Sequence, residues 1–241
     1  MEVQIAVAKI NKYASSESGD TVEVVERPSG GLSVVMADGQ SSGRGAKRIS
    51  NLVVRKVIAL LAEGVRDGAA ARAASDSLFT EKNGKVSATL NILSVDLQTN
   101  TLVVVRNNPA PALLAEGETL QQLDSESLPV GLYRHTRPAI VEHPLQPNLT
   151  VAIYTDGIVH AGDRNGERMN AAAVLQDLLL EEDPSPQWLA DSLLEHALRL
   201  DQNRPLDDMS VVVLRVRAKK QEDLVRRLSV RLPIPAVQRL W

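Results

Sequence analysis

The stretch "VVMADGQSSGRGAK", residues 34–47, runs from an apolar block onto an acid and a glycine, then into a loop of small and basic residues. A β-branched run that closes on Asp38 and Gly39 predicts a strand whose last carboxylate stands at the rim of a sheet. From Gly45 the period changes: Ile49, Leu52, Val53, Val57, Leu60 and Leu61 recur at helical spacing, with Arg48, Arg55, Lys56 and Glu63 among them. One long amphipathic helix therefore follows the loop. Gly64 and Gly68 punctuate it, and the alanine-rich stretch up to Phe79 predicts a second, shorter helix.

Upstream, residues 3–10 and 22–27 are rich in branched side chains and broken by glycine and proline, as meandering strands are. Downstream of the Asn83-Gly84 turn, the apolar runs 86–95, 102–106 and 112–115 are separated by "DLQTN" and "NNPAP", which is hairpin chemistry. Residues 149–154 then repeat the opening pattern, because "VAIYTDGIVHAG" also carries a strand onto an acid and a glycine. Helices are predicted over 171–180, after the candidate cap Asn170, and over 187–200, after Pro184 and Pro186. Trp188 keeps helical spacing with Leu189, Leu193 and Ala197, which predicts a core position. In "RPLDDMSVVVLRVR" two acids precede a strand instead of closing one. Residues 218–241 change character, first charged and then apolar around Pro233 and Pro235, and read as a tail docked on the domain or on a partner.

Composition narrows the function classes. The 241 residues are 44% hydrophobic, enough for a sizeable core, and 27 Lys and Arg against 30 Asp and Glu leave a net charge of -3. No global field draws such a chain to phosphate backbones or anionic membranes. One Phe, two Trp and three Tyr offer few stacking platforms, so nucleic acid is not an expected partner. With no cysteine, any metal must be held by oxygen or imidazole. His135, His143, His160 and His196 lack metal-ligand spacing, and only His160, close behind Asp156, stays a near-site candidate. No apolar run reaches membrane-spanning length and no leader pattern opens the chain, so a soluble cytoplasmic protein is expected.

Asp38 and Asp156 follow strands; Asp207 and Asp208 precede one. Singly, each reads as a turn or cap residue, since Asp-Gly is common turn chemistry. Their threefold placement at the ends of β-branched strands points instead to convergence. Carboxylates that close cannot all stay ionised without a cation, and oxygen-only ligation suits Mg²⁺ or Mn²⁺.

"MADGQSSGRGA", "YTDGIVHAGDRNGE" and "DDMSVVVLRV", in this order with a helix pair between the first two, resemble the metal-dependent protein serine/threonine phosphatases of type 2C ancestry, in their SpoIIE-like bacterial branch. "SATLNILSVDLQTNTLVVVRNNPAPALL", "LPVGL" and "SGDTVEV" support the resemblance, which covers about residues 18–217. It implies an α+β fold, a four-layer α-β-β-α sandwich with two central antiparallel sheets flanked by helix pairs, in a domain of residues 1–217. It further implies two Mn²⁺ or Mg²⁺ ions bridged by Asp38, with the Gly39 carbonyl as a further ligand, Asp156 and Asp207 completing the shell of the first ion, and Asp20 near the second ion. Asp208 stands where relatives carry Asn or Asp, and is implied to support the ligands from behind. Asp38, Asp156 and Asp207 would carry catalysis. The implied reaction is attack of a metal-activated water on phosphoserine or phosphothreonine of a regulatory protein, of the anti-sigma-antagonist type.

The chain departs from the pattern at Gln40, where many relatives place a proton-donating His. The relatives' phosphate-gripping Arg has no evident counterpart, with Arg44 and Lys12 as candidates. A pseudophosphatase that captures a phospho-regulator without turnover is the alternative; a two-metal nuclease ranks last for want of a basic groove. The oligomeric state is left open.

Overall fold

The computed structural model describes residues 1–219 and 224–233. Its elements run β1 (Glu2–Ile10), β2 (Asp20–Glu26), β3 (Leu32–Gly39), α1 (Gly43–Ala62), α2 (Asp67–Lys82), β4 (Ala88–Asp96), β5 (Thr101–Asn107), β6 (Ala112–Glu116), β7 (Thr119–Leu123), β8 (Ala139–Pro144), β9 (Leu149–Tyr154), α3 (Asp156–Val159), α4 (Ala171–Leu178), α5 (Pro186–Leu200) and β10 (Met209–Arg217). The strands form two five-stranded antiparallel sheets, ordered β1-β10-β9-β6-β7 and β2-β3-β4-β5-β8.

Three buried clusters show how the layers stack. Val34, Met36, Leu93, Leu102 and Val104 of one sheet meet Leu114, Leu149, Val151, Ile153, Val212 and Leu214 of the other. The alternate residues Val35, Ala37, Leu90, Ile92 and Val105 pack instead on Val53, Val57, Ala71 and Leu78 of α1 and α2. On the far side Ala152, Tyr154, Val211 and Val213 pack on Leu175, Leu189 and Leu193 of α4 and α5. This is the expected four-layer α-β-β-α sandwich. It also explains the unbroken apolar run before Asp38: both faces of β3 are covered, so alternation of polar and apolar residues has no function there.

Local chemistry agrees with the layers. The Asn170 side chain accepts a hydrogen bond from Ala173 N and caps α4; Ser185 does the same for Trp188 N, with Pro186 opening α5. Trp188 itself is 41% exposed, against the expected core position. Leu189, Leu193 and Ala197, four residues apart, form the buried stripe, and a side chain one residue earlier is rotated roughly 100° around the helix onto its flank. In the tail, residues 224–233 leave Leu224, Val225, Leu228, Val230 and Leu232 exposed. Arg226 ties them to the β2–β3 hairpin, donating to Gly30 O at 2.6 Å and lying 3.5 Å from Glu26 Oε1. Pro235 and its neighbours lie outside the described residues.

The central layer makes a test. Met36 is fully buried between the sheets, so Met36→Ala is expected to destabilise the domain by about 2–5 kcal/mol, read as a lower midpoint in urea denaturation.

Candidate functional site

Strand alternation aims the acids. Asp20 and Asp38 are direct cross-strand partners on β2 and β3. Both fall in phase with Val22, Val34 and Met36, the residues that face the opposite sheet. From that sheet, Thr155 continues the inward phase of Val151 and Ile153, while Asp208 and Ser210 continue that of Val212 and Leu214. One rim of the sandwich therefore collects carboxylates from both sheets.

Two glycines permit the approach. A Cβ on Gly39 would lie 2.1 Å from Ala46 O, so the first turns of α1 press directly on the end of β3. A Cβ on Gly157 would lie 2.2 Å from Asp208 O, so α3 crosses the start of β10 and brings Asp156 beside Asp207.

Asp20 is wholly buried and anchors the cluster. Its Oδ2 accepts from Ser210 Oγ at 2.5 Å and Thr155 Oγ1 at 3.1 Å, while Ser210 N donates to Thr155 Oγ1 at 3.0 Å. Its backbone carbonyl accepts from two ammonium groups, Lys9 Nζ and Lys47 Nζ, each at 2.6 Å. Asp208 clamps the β1–β2 loop: Oδ1 accepts from Lys12 N at 2.9 Å and Oδ2 from Gly19 N at 2.7 Å. Asp207 Oδ1 accepts from Asp208 N at 2.9 Å.

The electrostatics of the rim are unfavourable to negative charge. Burial pushes the Asp38 carboxyl up to about 9, and the charges of Asp20, Asp156 and Asp207 act in the same direction. Burial raises Asp20 to about 6 against the opposing Ser210 hydrogen bond and Lys9 charge. Asp207 is raised by burial too, with Asp156 adding to it. Lys9 is lowered, first by burial and then by Lys47.

These residues suit a hard divalent cation. Asp20 Oδ1 and Asp156 Oδ1 are buried without a hydrogen-bond partner, and the acidic side chains of the rim offer only oxygen ligands. Among the described residues no three acidic or histidine side chains are already closed around one point. Asp20, Asp156 and Asp207 are near enough to Asp38 for their charges to act on it. Gly39 is buried at the end of β3, next to Asp38.

Other sequence candidates lie elsewhere. The Gln40 side chain is tied to Ser87, accepting from its N at 2.9 Å. The Arg44 side chain is 90% exposed, with Nε 3.8 Å from Glu17. Lys12 contributes its backbone N–H to Asp208, and its charge lowers the pKa of Asp207. His160 is exposed and pairs with Asp163, Nδ1 to Oδ2 at 2.9 Å. Lys9, Lys47, Thr155 and Ser210 were not singled out from the sequence. The inward phase of their strands could have signalled Lys9 and Ser210; nothing local marks Lys47.

The sandwich and its acidic rim define the class of fold. The PP2C phosphatase domain with a fragment of the regulatory domain of SpoIIE from Bacillus subtilis matches it with a TM-score of 0.79, at 21% identity, covering 91% of this chain and 64% of that one. RsbX in complex with magnesium matches with a TM-score of 0.67, at 14% identity, over 88% of this chain and 94% of that one. The family model "Stage II sporulation protein E (SpoIIE)" matches residues 28–217, and the chain belongs to the SpoIIE family. Stage II sporulation protein E of Bacillus subtilis (strain 168) is 23% identical over 214 residues, 89% of this chain and 26% of that protein. The chain thus spans about a quarter of that relative's length.

The raised carboxyls predict a pH dependence. Asp38 binds its proton more tightly when folded, so its contribution to stability is complete below the ordinary carboxylate value of 3.8 and is lost as pH rises through about 9. In chelator-treated protein, Tm is expected to fall over that window, and Asp38→Asn should flatten the fall; differential scanning calorimetry at stepped pH measures both.

Proposed function

We propose that the chain is a metal-dependent protein phosphatase that hydrolyses phosphoserine or phosphothreonine on a regulatory protein. The observation that carries this reading is the pairing of the half-buried Asp38 with the buried Asp20 at the rim of a PP2C fold, where burial and the charges of Asp20, Asp156 and Asp207 all disfavour the ionised Asp38 carboxyl.

Asp20, Asp38, Asp156 and Asp207, with the Gly39 carbonyl, would hold Mg²⁺ or Mn²⁺, in a two-ion site by likeness to the family. Such ions supply an acidified water as nucleophile and offset charge on the phosphoryl oxygens. The chain's own residues prepare the ligands. Ser210 and Thr155 occupy Asp20 Oδ2 and leave Oδ1 free to bind. Lys9 and Lys47 fix the Asp20 carbonyl, joining β1 and α1 to the ligand strand. Asp208 has both oxygens engaged by the β1–β2 loop, which suits it to support the ligands from behind. A glutamine side chain cannot give up a proton at neutral pH, so the leaving alkoxide would take its proton from water or turnover would be slow.

The substrate type that the family resemblance favours is an anti-sigma-antagonist regulator, met in the cytoplasm. No helix among the described residues is long and apolar enough to cross a membrane. Gln40 also favours a second reading, capture of a phospho-regulator without turnover.

Hydrolysis of p-nitrophenyl phosphate separates the two. Metal-dependent turnover is expected with Mn²⁺ or Mg²⁺, falling at least about 100-fold in Asp38→Asn, Asp156→Asn and Asp207→Asn. Native-like protein that binds metal but turns nothing over in any form would leave capture as the function.

A further inference from the structure

A second polar site lies away from the acidic rim. A pocket of about 670 Å³ opens between α2 and the β7–β8 connection, residues 124–138, and is lined by Arg72, Asp76, His135 and Arg137. We propose that it is an oxyanion subsite in which Arg72 and Arg137 grip an acidic or phosphorylated side chain of a protein partner. This deepens the phosphoprotein reading and rests on it for the identity of the partner, though not for the pocket.

Three observations carry the assignment. First, neither guanidinium has a hydrogen bond or ion pair among the described residues, although both border the same space. Paired guanidiniums present planar forks of N–H donors that match carboxylate and phosphate oxygens, and two such groups facing one cavity repel until an anion joins them. Second, the one carboxylate in the lining is engaged at one of its oxygens. Asp76 Oδ1 accepts from His135 N at 3.0 Å and holds that residue at φ +58°, a left-handed conformation that is uncommon outside glycine. Ser75, one residue earlier on α2, accepts at its Oγ from Gly131 N at 3.2 Å. Adjacent side chains of α2 thus pin the connection in two places, and the pocket wall is preset before any ligand arrives. Third, the surroundings suit a protein surface. Ile140, which meets Arg72 over Gly68, is 45% exposed, and Tyr133, two residues before His135 in the chain, is 58% exposed. Ile140 Cδ1 would lie 2.5 Å and Arg72 Nη1 3.6 Å from a Cβ placed on Gly68, so apolar and cationic groups meet over the first turn of α2. An apolar small molecule finds no matching wall among two arginines, an aspartate and a histidine.

The test is a titration of the full chain, treated with chelator so that the acidic rim holds no metal to recruit phosphate, followed by NMR of the arginine Nε–H signals. The probes are N-acetyl-phosphoserine amide, N-acetyl-glutamate amide and inorganic phosphate. Saturable shifts of Arg72 and Arg137 with the amino-acid amides are expected, tighter for the phosphoserine derivative because it carries more charge. Arg72→Ala and Arg137→Ala should each weaken binding about 10-fold or more, with the lysine variants in between. Silent Arg72 and Arg137 signals would overturn the proposal, as would shifts that persist in a natively folded double alanine variant. Inorganic phosphate binding more tightly than either amide would make this a free-ion site and reject the partner side chain. The p-nitrophenyl phosphate assay, run in parallel, separates the two readings: active enzyme with silent arginines rejects only this subsite, and a positive titration on an inactive chain rejects only the phosphatase.

Discussion

The constraint on which the structure turns is mutual repulsion between carboxylates that the backbone forces together. Asp20, fully buried, and Asp38, half-buried, sit opposite each other on neighbouring strands, with Asp156 and Asp207 approaching from the second sheet. A fold selected only for stability would put apolar residues there, because unpaired buried charge is costly. The sandwich instead spends much of its polar chemistry on this rim. Two hydroxyls hold one oxygen of Asp20, two ammonium groups hold its carbonyl, and Asp208 fastens the loop that leads into it. Such a site is poorly satisfied by the protein alone, which is the state expected of one that awaits a cation.

The layers were legible in the sequence where burial dictates composition. Residues 34–37 read as a strand because both faces of β3 are covered, and α1 announced itself by its spacing of Ile49, Val53, Val57 and Leu61. Asn170 was readable as a cap because its function is local, with the N–H it serves three residues on. Trp188 was misread because helical spacing defines a stripe but not its width, and the stripe of α5 is too narrow to include it.

The candidate site was legible only in part, for a related reason. The acids stand at strand ends, where an abrupt change from apolar to charged is visible one residue at a time. Lys9 and Lys47 do not. Lys9 shows only through the inward phase of β1, Lys47 looks like an ordinary surface cation on α1, and their shared target, the Asp20 carbonyl, is a backbone atom with no mark in the sequence. The basic pocket was invisible likewise, because α2 supplies Arg72 and a connection some 60 residues later supplies Arg137.

One pairing has a temporal meaning. β10, the last strand among the described residues, lies between β1 and β9, so the sheet β1-β10-β9-β6-β7 is joined by segments far apart in sequence. Until residues 207–217 leave the ribosome, β1 has no neighbour and Gly19 and Lys12 lack the carboxylate that holds them. A nascent chain carries Asp20, Asp38 and Asp156 long before it can arrange them. A chain stopped before β10 is therefore expected to leave the facing edges of β1 and β9 unpaired and the rim incomplete.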